Sequence, residues 1–388
     1  MKLFKSLLVA PATLGLLAPL TATATEVNFN AISNYSEEVI EIDSRSFSND
    51  SASNTLLAGG EGMVDSHDHD SESFSETTTA SFSADFAIGA TDGKGVTATV
   101  TDGDESLQAY FGFQIDLTTS FTGEDSLDIS IDAGNGAADT NTLSEFDLNS
   151  GSGALTVDGI SYTFPLGDKA TVMFGDNTDG SALFTTACAY GGPSNTLDDC
   201  GNVNAGITNG GAMAGASFDI GNGFTAAIGY AGSETGIMTK ANADAWGANL
   251  AYDGGNYGVS LTYGVLESDT VNEDTYTAFN GYYSFDNGIS LSAGYEVGDI
   301  GANSVSNDES INYFVGVNGE VGPGELGVAL GTSGGQTEGS DTETMYEAYY
   351  SYPINDGMTI TPLIYVKEQA TAGTPDLTGI MVKTSFSF

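Results

Sequence analysis

The stretch "NYGVSLTYGV" (Asn256–Val265) sets Tyr257, Val259, Leu261, Tyr263 and Val265 on one side of an extended chain. Gly258, Ser260, Thr262 and Gly264 fall on the other. A period of two with one apolar and one small polar face describes a β-strand lying between two different environments. The pattern recurs in "SLQAYFGFQIDLT" (106–118), "GISLSAGYEVG" (288–298) and "ESINYFVGVNGE" (309–320). It recurs again in "LTGIMVKTSFSF" (377–388), where Ile380, Val382, Thr384, Phe386 and Phe388 share a face.

Two architectures use such strands. A soluble sandwich buries the apolar face against a second sheet and is built from strands of about 5–6 residues. A barrel that crosses a membrane turns the apolar face to lipid and needs tilted strands of about 9–11 residues. These segments have the longer length, and their polar faces are the small Gly, Ser, Thr and Asn of a watery interior.

The links between strands separate the two cases. Tight links fall at "DIGNGF" (219–224), "YDGGNY" (252–257), "FDNGI" (285–289), "EVGPGEL" (320–326) and "PINDGM" (353–358). Longer polar links fall between them at 232–242, 267–273, 299–308, 333–341 and 368–376. Short and long connections that alternate are the asymmetry of outer-membrane barrels. Counting back from Phe388 predicts strands at 81–90, 106–119, 125–133, 154–164, 169–175, 211–220, 223–232, 243–252, 256–266, 274–286, 288–298, 309–320, 324–332, 342–352, 357–367 and 377–388. The expected fold is therefore an all-β transmembrane antiparallel barrel of about 16 strands, a size that leaves an aqueous channel. "GVTATVT" (95–101) and "TLSEFDLN" (142–149) would raise the number to 18 if both were strands. Pro362, inside a predicted strand, should mark a bulge or a broken ladder bond.

Ahead of the barrel, "MKLFK" followed by "SLLVAPATLGLLAPL" and an Ala22-x-Ala24 site reads as a signal peptide over 1–24. Residues 25–78 are rich in Ser, Asp, Glu and Thr without periodicity and read as a flexible periplasmic leader, with the barrel at 79–388. The two cysteines, Cys188 and Cys200, lie in the longest link, and in an exported chain they pair as a loop staple.

The formal net charge is −45, with only 8 Lys and Arg. Nucleic acid needs a basic footprint that is missing here. Both histidines, His67 and His69, sit in the leader, so no Ser/His/Asp constellation can be assembled and no enzyme is expected. The leader's acid–His alternation and Asp102, Asp104 and Glu105 of "TDGDES" read as solvated polar segments, with neither metal nor cofactor implied. By the alternation, Asp116, Asp128, Asp132, Glu296 and Glu347 face inward together with Lys383. The long link 176–210 is expected to fold inward as a constriction, bringing Asp176, Asp179, Asp198 and Asp199 to the narrowest part. Acidic walls concentrate cations and repel anions, whereas anion pores need rings of Arg or Lys. The expected function is passive diffusion of ions and small hydrophilic solutes with a preference for cations. A channel specific for carbohydrate or iron species is the first alternative. A secreted acidic β-rich adhesin or surface-layer protein is the second, from another class.

The signal segment, "IDLTTSFTGEDSL", "YTFPLGDKATVMFG", "GNGFTAAIGYAG", "EVGPGELGVALG" and the ending "YEAYYSYPINDGMTITPLIYVKE…VKTSFSF" resemble the cyanobacterial outer-membrane porins. These are grouped with the carbohydrate-selective porins and often labelled iron-uptake porins. The resemblance spans about 106–388 and implies a 16-stranded pore in the outer membrane, lipid on its outside and inorganic ions, iron species and small solutes within. Members usually carry an S-layer-homology domain after the signal; here the Ser/acid-rich 25–78 stands in that place. A homotrimer is expected by analogy with other porins of this size.

Overall fold

In the computed structural model the described residues are 77–92, 106–136, 143–146, 148–149, 153–208, 211–239, 242–267, 273–301, 309–333, 336–337, 342–369 and 375–388. Residues 1–24, expected as a signal peptide, nearly all of the expected leader with both histidines, 95–101 and Asp102, Asp104 and Glu105 lie outside them.

The chain runs through β1 (Thr78–Asp92), β2 (Gln108–Thr119), β3 (Ser126–Gly134), β4 (Thr156–Leu166), β5 (Ala170–Asp176), β6 (Ala212–Gly221), β7 (Phe224–Gly232), β8 (Asp244–Asp253) and β9 (Tyr257–Glu267). It continues through β10 (Glu273–Ser284), β11 (Ile289–Asp299), β12 (Glu309–Val321), β13 (Gly324–Thr332), β14 (Gln336–Thr337), β15 (Thr344–Asn355), β16 (Met358–Lys367) and β17 (Leu377–Ser387). Of these 17 strands, β14 is a two-residue extension against β12, leaving sixteen barrel strands. With β14 set aside, each barrel strand pairs antiparallel with its neighbours in the chain, and β1 pairs with β17 as well as β2 to form the seam. That seam closes the sheet. Phe82 and Phe388 exchange backbone hydrogen bonds of 2.9 and 3.0 Å, and their rings stack across the join. Closure leaves no free edge, which is the condition for a sheet in hydrocarbon.

The alternation sorts the faces as the pattern predicts. Tyr263 is 39% exposed while Thr262 beside it is fully buried. Leu250, Leu261, Tyr295, Val328 and Ile364 form part of an exposed apolar outer belt. The strands turn their apolar side outward, the reverse of a soluble sandwich, while the buried residues lie inside the cylinder. The short turns share one end of the barrel. The first of them (120–125) is wound around Asp125, which accepts from Ser120 Oγ, the Phe121 and Thr122 amides, Thr122 Oγ1 and, at 2.6 Å, Tyr162 Oη. The Tyr162 bond above all, with the other donors, holds the Asp125 carboxyl well below the usual carboxylate range.

Two expectations are refined. Of 142–149, the described part holds a 3₁₀ turn at Ser144–Phe146 with Leu143, Phe146 and Leu148 buried, not a barrel strand. At Pro362 the ladder to β17 continues through Val382, whereas the ladder to β15 skips from Tyr349–Leu363 to Tyr352–Ile360. The missing N–H is felt on one side only.

Candidate functional site: the barrel interior

The connection after β5, described over 177–208, enters the barrel and lies along its inner wall. Glycine and small polar residues make room for it. At Gly229 a Cβ would collide with the Gly180 carbonyl, at Gly264 with Ala205, and at Gly294 with the Cys200 carbonyl. Wall side chains then take up the loop's backbone groups. Asn249 Oδ1 accepts from the Thr185 amide (3.0 Å), Ser260 Oγ from Ala187 (2.9 Å) and Ser292 Oγ from Ala189 (2.9 Å). Asn280 Nδ2 donates to the Cys200 carbonyl at 2.9 Å. Buried backbone polar groups need partners, and here the wall supplies them. A disulfide joins Cys188 to Cys200 and ties off the middle of the loop.

Two inner-face carboxylates act as anchors. Glu296 is fully buried; its Oε2 accepts from the Asn204 and Ala205 amides and its Oε1 from the side chains of Asn204 and Asn312, at 2.8–2.9 Å. Glu347, also buried, accepts from Tyr190 Oη at 2.5 Å. Burial, then the Glu347 charge, push the Tyr190 phenol far above its ordinary range. Both glutamates lie on the buried face of their strands. They are covered by the loop instead of facing water, because the loop's amides need acceptors.

The 143–149 segment forms a second inward piece. Buried Glu145 accepts from the Thr196 amide and hydroxyl and pairs with Lys367 Nζ at 3.1 Å. Lys383 lies on the inner face with its ammonium 5.4 Å above the Phe146 ring. Leu143, Phe146, Tyr190, Leu197, Phe314, Met345, Leu363 and Tyr365 make the shared apolar cluster between these segments and the wall.

The wall of β2–β5 carries the remaining carboxylates. Asp116 accepts from Gln114 Nε2 and Ser130 Oγ (both 2.7 Å), Asp128 from Thr118 Oγ1 (2.8 Å) and Ser126 Oγ (2.7 Å), and Asp132 from Thr156 Oγ1 (2.9 Å). A cavity of about 440 Å³ opens here, lined among others by Asp128, Asp158, Ser161, Asn177 and Asp179. Asp158 was not among the inward acids read from the sequence. A bulge in the β3–β4 register between Ser130 and Ile131 brings it to the cavity. Asp179 stands opposite on the loop; enclosure by the wall, then the Asp158 charge, raise its carboxyl above the usual range.

The other loop acids divide. Asp176 ends β5 opposite Ile160, an exposed outer-face residue, so it sits at the rim facing outward and not at the constriction. Asp198 is exposed within the loop. Asp199 accepts from the Gly201 amide at 2.8 Å, and burial pushes its carboxyl up to about 7.

No protein-family model matches the chain and no curated protein matches its sequence. Solved structures match its fold. Pseudomonas putida OprB, in a high-pH structure, superposes with a TM-score of 0.61 at 12% identity, covering 80% of this chain and 94% of that one. The fold is that of the outer-membrane porins. An anion-selective porin from Comamonas acidovorans gives 0.57 at 15% identity, covering 80% of this chain and 99% of that one. A loop-deletion form of Vibrio cholerae OmpT gives 0.56 at 10%, covering 81% and 100%. At these identities the likeness is one of architecture.

Proposed function

We propose that this chain is an outer-membrane channel for passive diffusion of ions and small hydrophilic solutes, preferring cations. The observation that carries the reading is the cavity between the β2–β5 wall and the inward loop, lined by Asp128, Asp158 and Asp179 without a lysine or arginine. Fixed negative charge in a confined aqueous path raises the local cation concentration and excludes anions. The closed sheet with its apolar outer belt supports placement in a bilayer, and a signal over 1–24 would route the chain there. Flow needs no cofactor. Iron species and carbohydrates are solutes that the sequence resemblance suggests, and a homotrimer is the assembly suggested by analogy with other porins of this size.

The test is the reversal potential of the detergent-purified chain in a planar bilayer under a salt gradient. Stepwise conductance with a cation-selective potential is expected, and Asp128→Asn with Asp132→Asn should reduce that selectivity. An anion-selective potential would overturn the assignment of the acidic wall; absence of conductance from folded protein would overturn the channel.

A further inference from the structure

The outer face of β9, β10 and β11 carries a notch close to the short-turn end of the barrel. Register places Val259, Gly281 and Ala293 side by side in one row across the three strands. The row nearer the short turns is Tyr257, Tyr283 and Leu291; the row behind is Leu261, Phe279 and Tyr295. A glycine set between two aromatic residues of β10 leaves a hollow of about 500 Å³. A Cβ at Gly281 would have only the Gly258 carbonyl at 3.4 Å and Val259 at 3.5 Å within reach, so the space outside this floor is open. The volume is that of a small-molecule site, and its place in the exposed apolar belt calls for an apolar occupant.

The surroundings choose among apolar occupants. The rings of Phe279, Tyr283 and Tyr295 flank a floor that has no side chain. A second barrel laid on this face would rest on those rings, whereas a flexible hydrocarbon chain can lie between them and reach the floor. At the mouth, Tyr257 Oη donates to Tyr252 Oη at 3.3 Å and Tyr283 Oη accepts from Asn256 Nδ2 at 3.5 Å. Phenols at a barrel rim mark the level where hydrocarbon gives way to headgroups. Just beyond them lie Asp253 and the turns 254–256 and 285–288, which together hold two carboxylates and neither lysine nor arginine. Like charge repels a phosphate at that level, while a headgroup of hydroxyls brings donors without charge.

We propose that the notch binds one acyl chain of a lipid whose headgroup is an uncharged sugar. The chain lies over Gly281 between the aromatic rows, and sugar hydroxyls donate to Asp286 and to Oδ1 of Asn256. The proposal rests on the barrel's placement in a bilayer and is independent of its ion preference.

The experiment is native mass spectrometry of the full chain released from micelles holding monoglucosyl diacylglycerol, phosphatidylethanolamine and phosphatidylglycerol in equal amounts. The glucolipid should be retained about fivefold over phosphatidylglycerol, the effect of weak repulsion at an exposed, screened rim. Gly281→Leu, which fills the notch, should cut glucolipid retention about tenfold, the worth of roughly two buried methylenes. Asp286→Lys leaves the notch open and should bring phosphatidylglycerol level with the glucolipid. Heat-modifiable mobility shows that each variant is folded, and Asp286→Lys alone carries the test if Gly281→Leu lacks the shift. Equal retention of the three lipids by the wild type, or retention unaltered by Gly281→Leu, refutes the site. Phosphatidylethanolamine held most tightly overturns the sugar in favour of an ammonium headgroup. A change in the number of chains per complex on Gly281→Leu, with no lipid lost, overturns the lipid in favour of a second copy. Any of these with planar-bilayer current intact leaves the channel standing. A folded protein soluble without detergent takes the bilayer placement and the site down together.

Discussion

Glu296 offers the sharpest way to undo the inward loop without touching the barrel. Its carboxylate is fully buried and each oxygen takes two donors, among them the Asn204 and Ala205 amides. Glu296→Ala strips those amides of their acceptor in a place water does not reach. Each buried amide left without an acceptor costs about 1–3 kcal/mol, so the two together cost about 3–4 kcal/mol near the middle of that range. The ladders of Glu296 to Ala278 and Asn312 are backbone pairings and survive the change. The cost therefore falls on docking of residues 200–207, and raises the undocked fraction roughly 10²- to 10³-fold at 1.4 kcal/mol per tenfold. Glu296→Gln keeps the shape but turns an NH₂ toward two donors, and should cost about 1.5–3 kcal/mol. The assay pairs single-channel current noise with thermolysin cleavage of the loop near Leu197 and Ile207, while heat-modifiable electrophoretic mobility reports on the barrel. Noise and cleavage should rise in the order wild type, Gln, Ala, with the mobility shift unchanged. If Glu296→Ala is as quiet and as resistant as wild type, the latch is refuted. If the mobility shift is lost, the separation of loop from barrel is refuted.

Tyr190→Phe removes the 2.5 Å bond to Glu347 and should destabilise the docked loop by about 1–3 kcal/mol, read as faster cleavage in the same protease assay. Opening the Cys188–Cys200 bridge, whose ends are 12 positions apart, releases a loop constraint of about 3 kcal/mol in the chain-entropy model, and reductant should increase current noise. Asp199, raised by burial to about 7 from an ordinary value near 4, binds its proton more tightly when docked. Docking should therefore weaken as pH rises from about 4 to 7 and stay weakened above, and Asp199→Asn should flatten that profile of current noise. Asp125 has the opposite sign: its turn gains stability above the ordinary carboxylate range and loses it as pH falls through the depressed native value, so Asp125→Ala should speed Phe121 and Thr122 amide exchange at neutral pH.

The barrel was legible because a strand between lipid and water repeats its reason every two residues. Tyr257 to Val265 could be sorted by parity alone, and their burial alternates along β9 accordingly. Asp158 escaped that reading because the bulge beside it breaks the parity of β4. Glu296 and Glu347, expected to line open water, are covered by the inward loop. What covers an inner-face residue is decided by residues 177–208, whose irregular backbone has no period to read. The same is true of Leu143 and Phe146. Seven residues of mixed polarity carry no signal that separates a strand from a short turn packed on a distant loop.

The small residues beneath that loop divide the labour of the molecule. Gly229, Gly264 and Gly294 contribute nothing to sealing the sheet beyond their backbones, yet a methyl group at any of them would meet the loop. Containment thus belongs to the cylinder and calibre to the insert. An insert of another length or charge, laid on the same glycine track, would reshape the interior without rebuilding its casing.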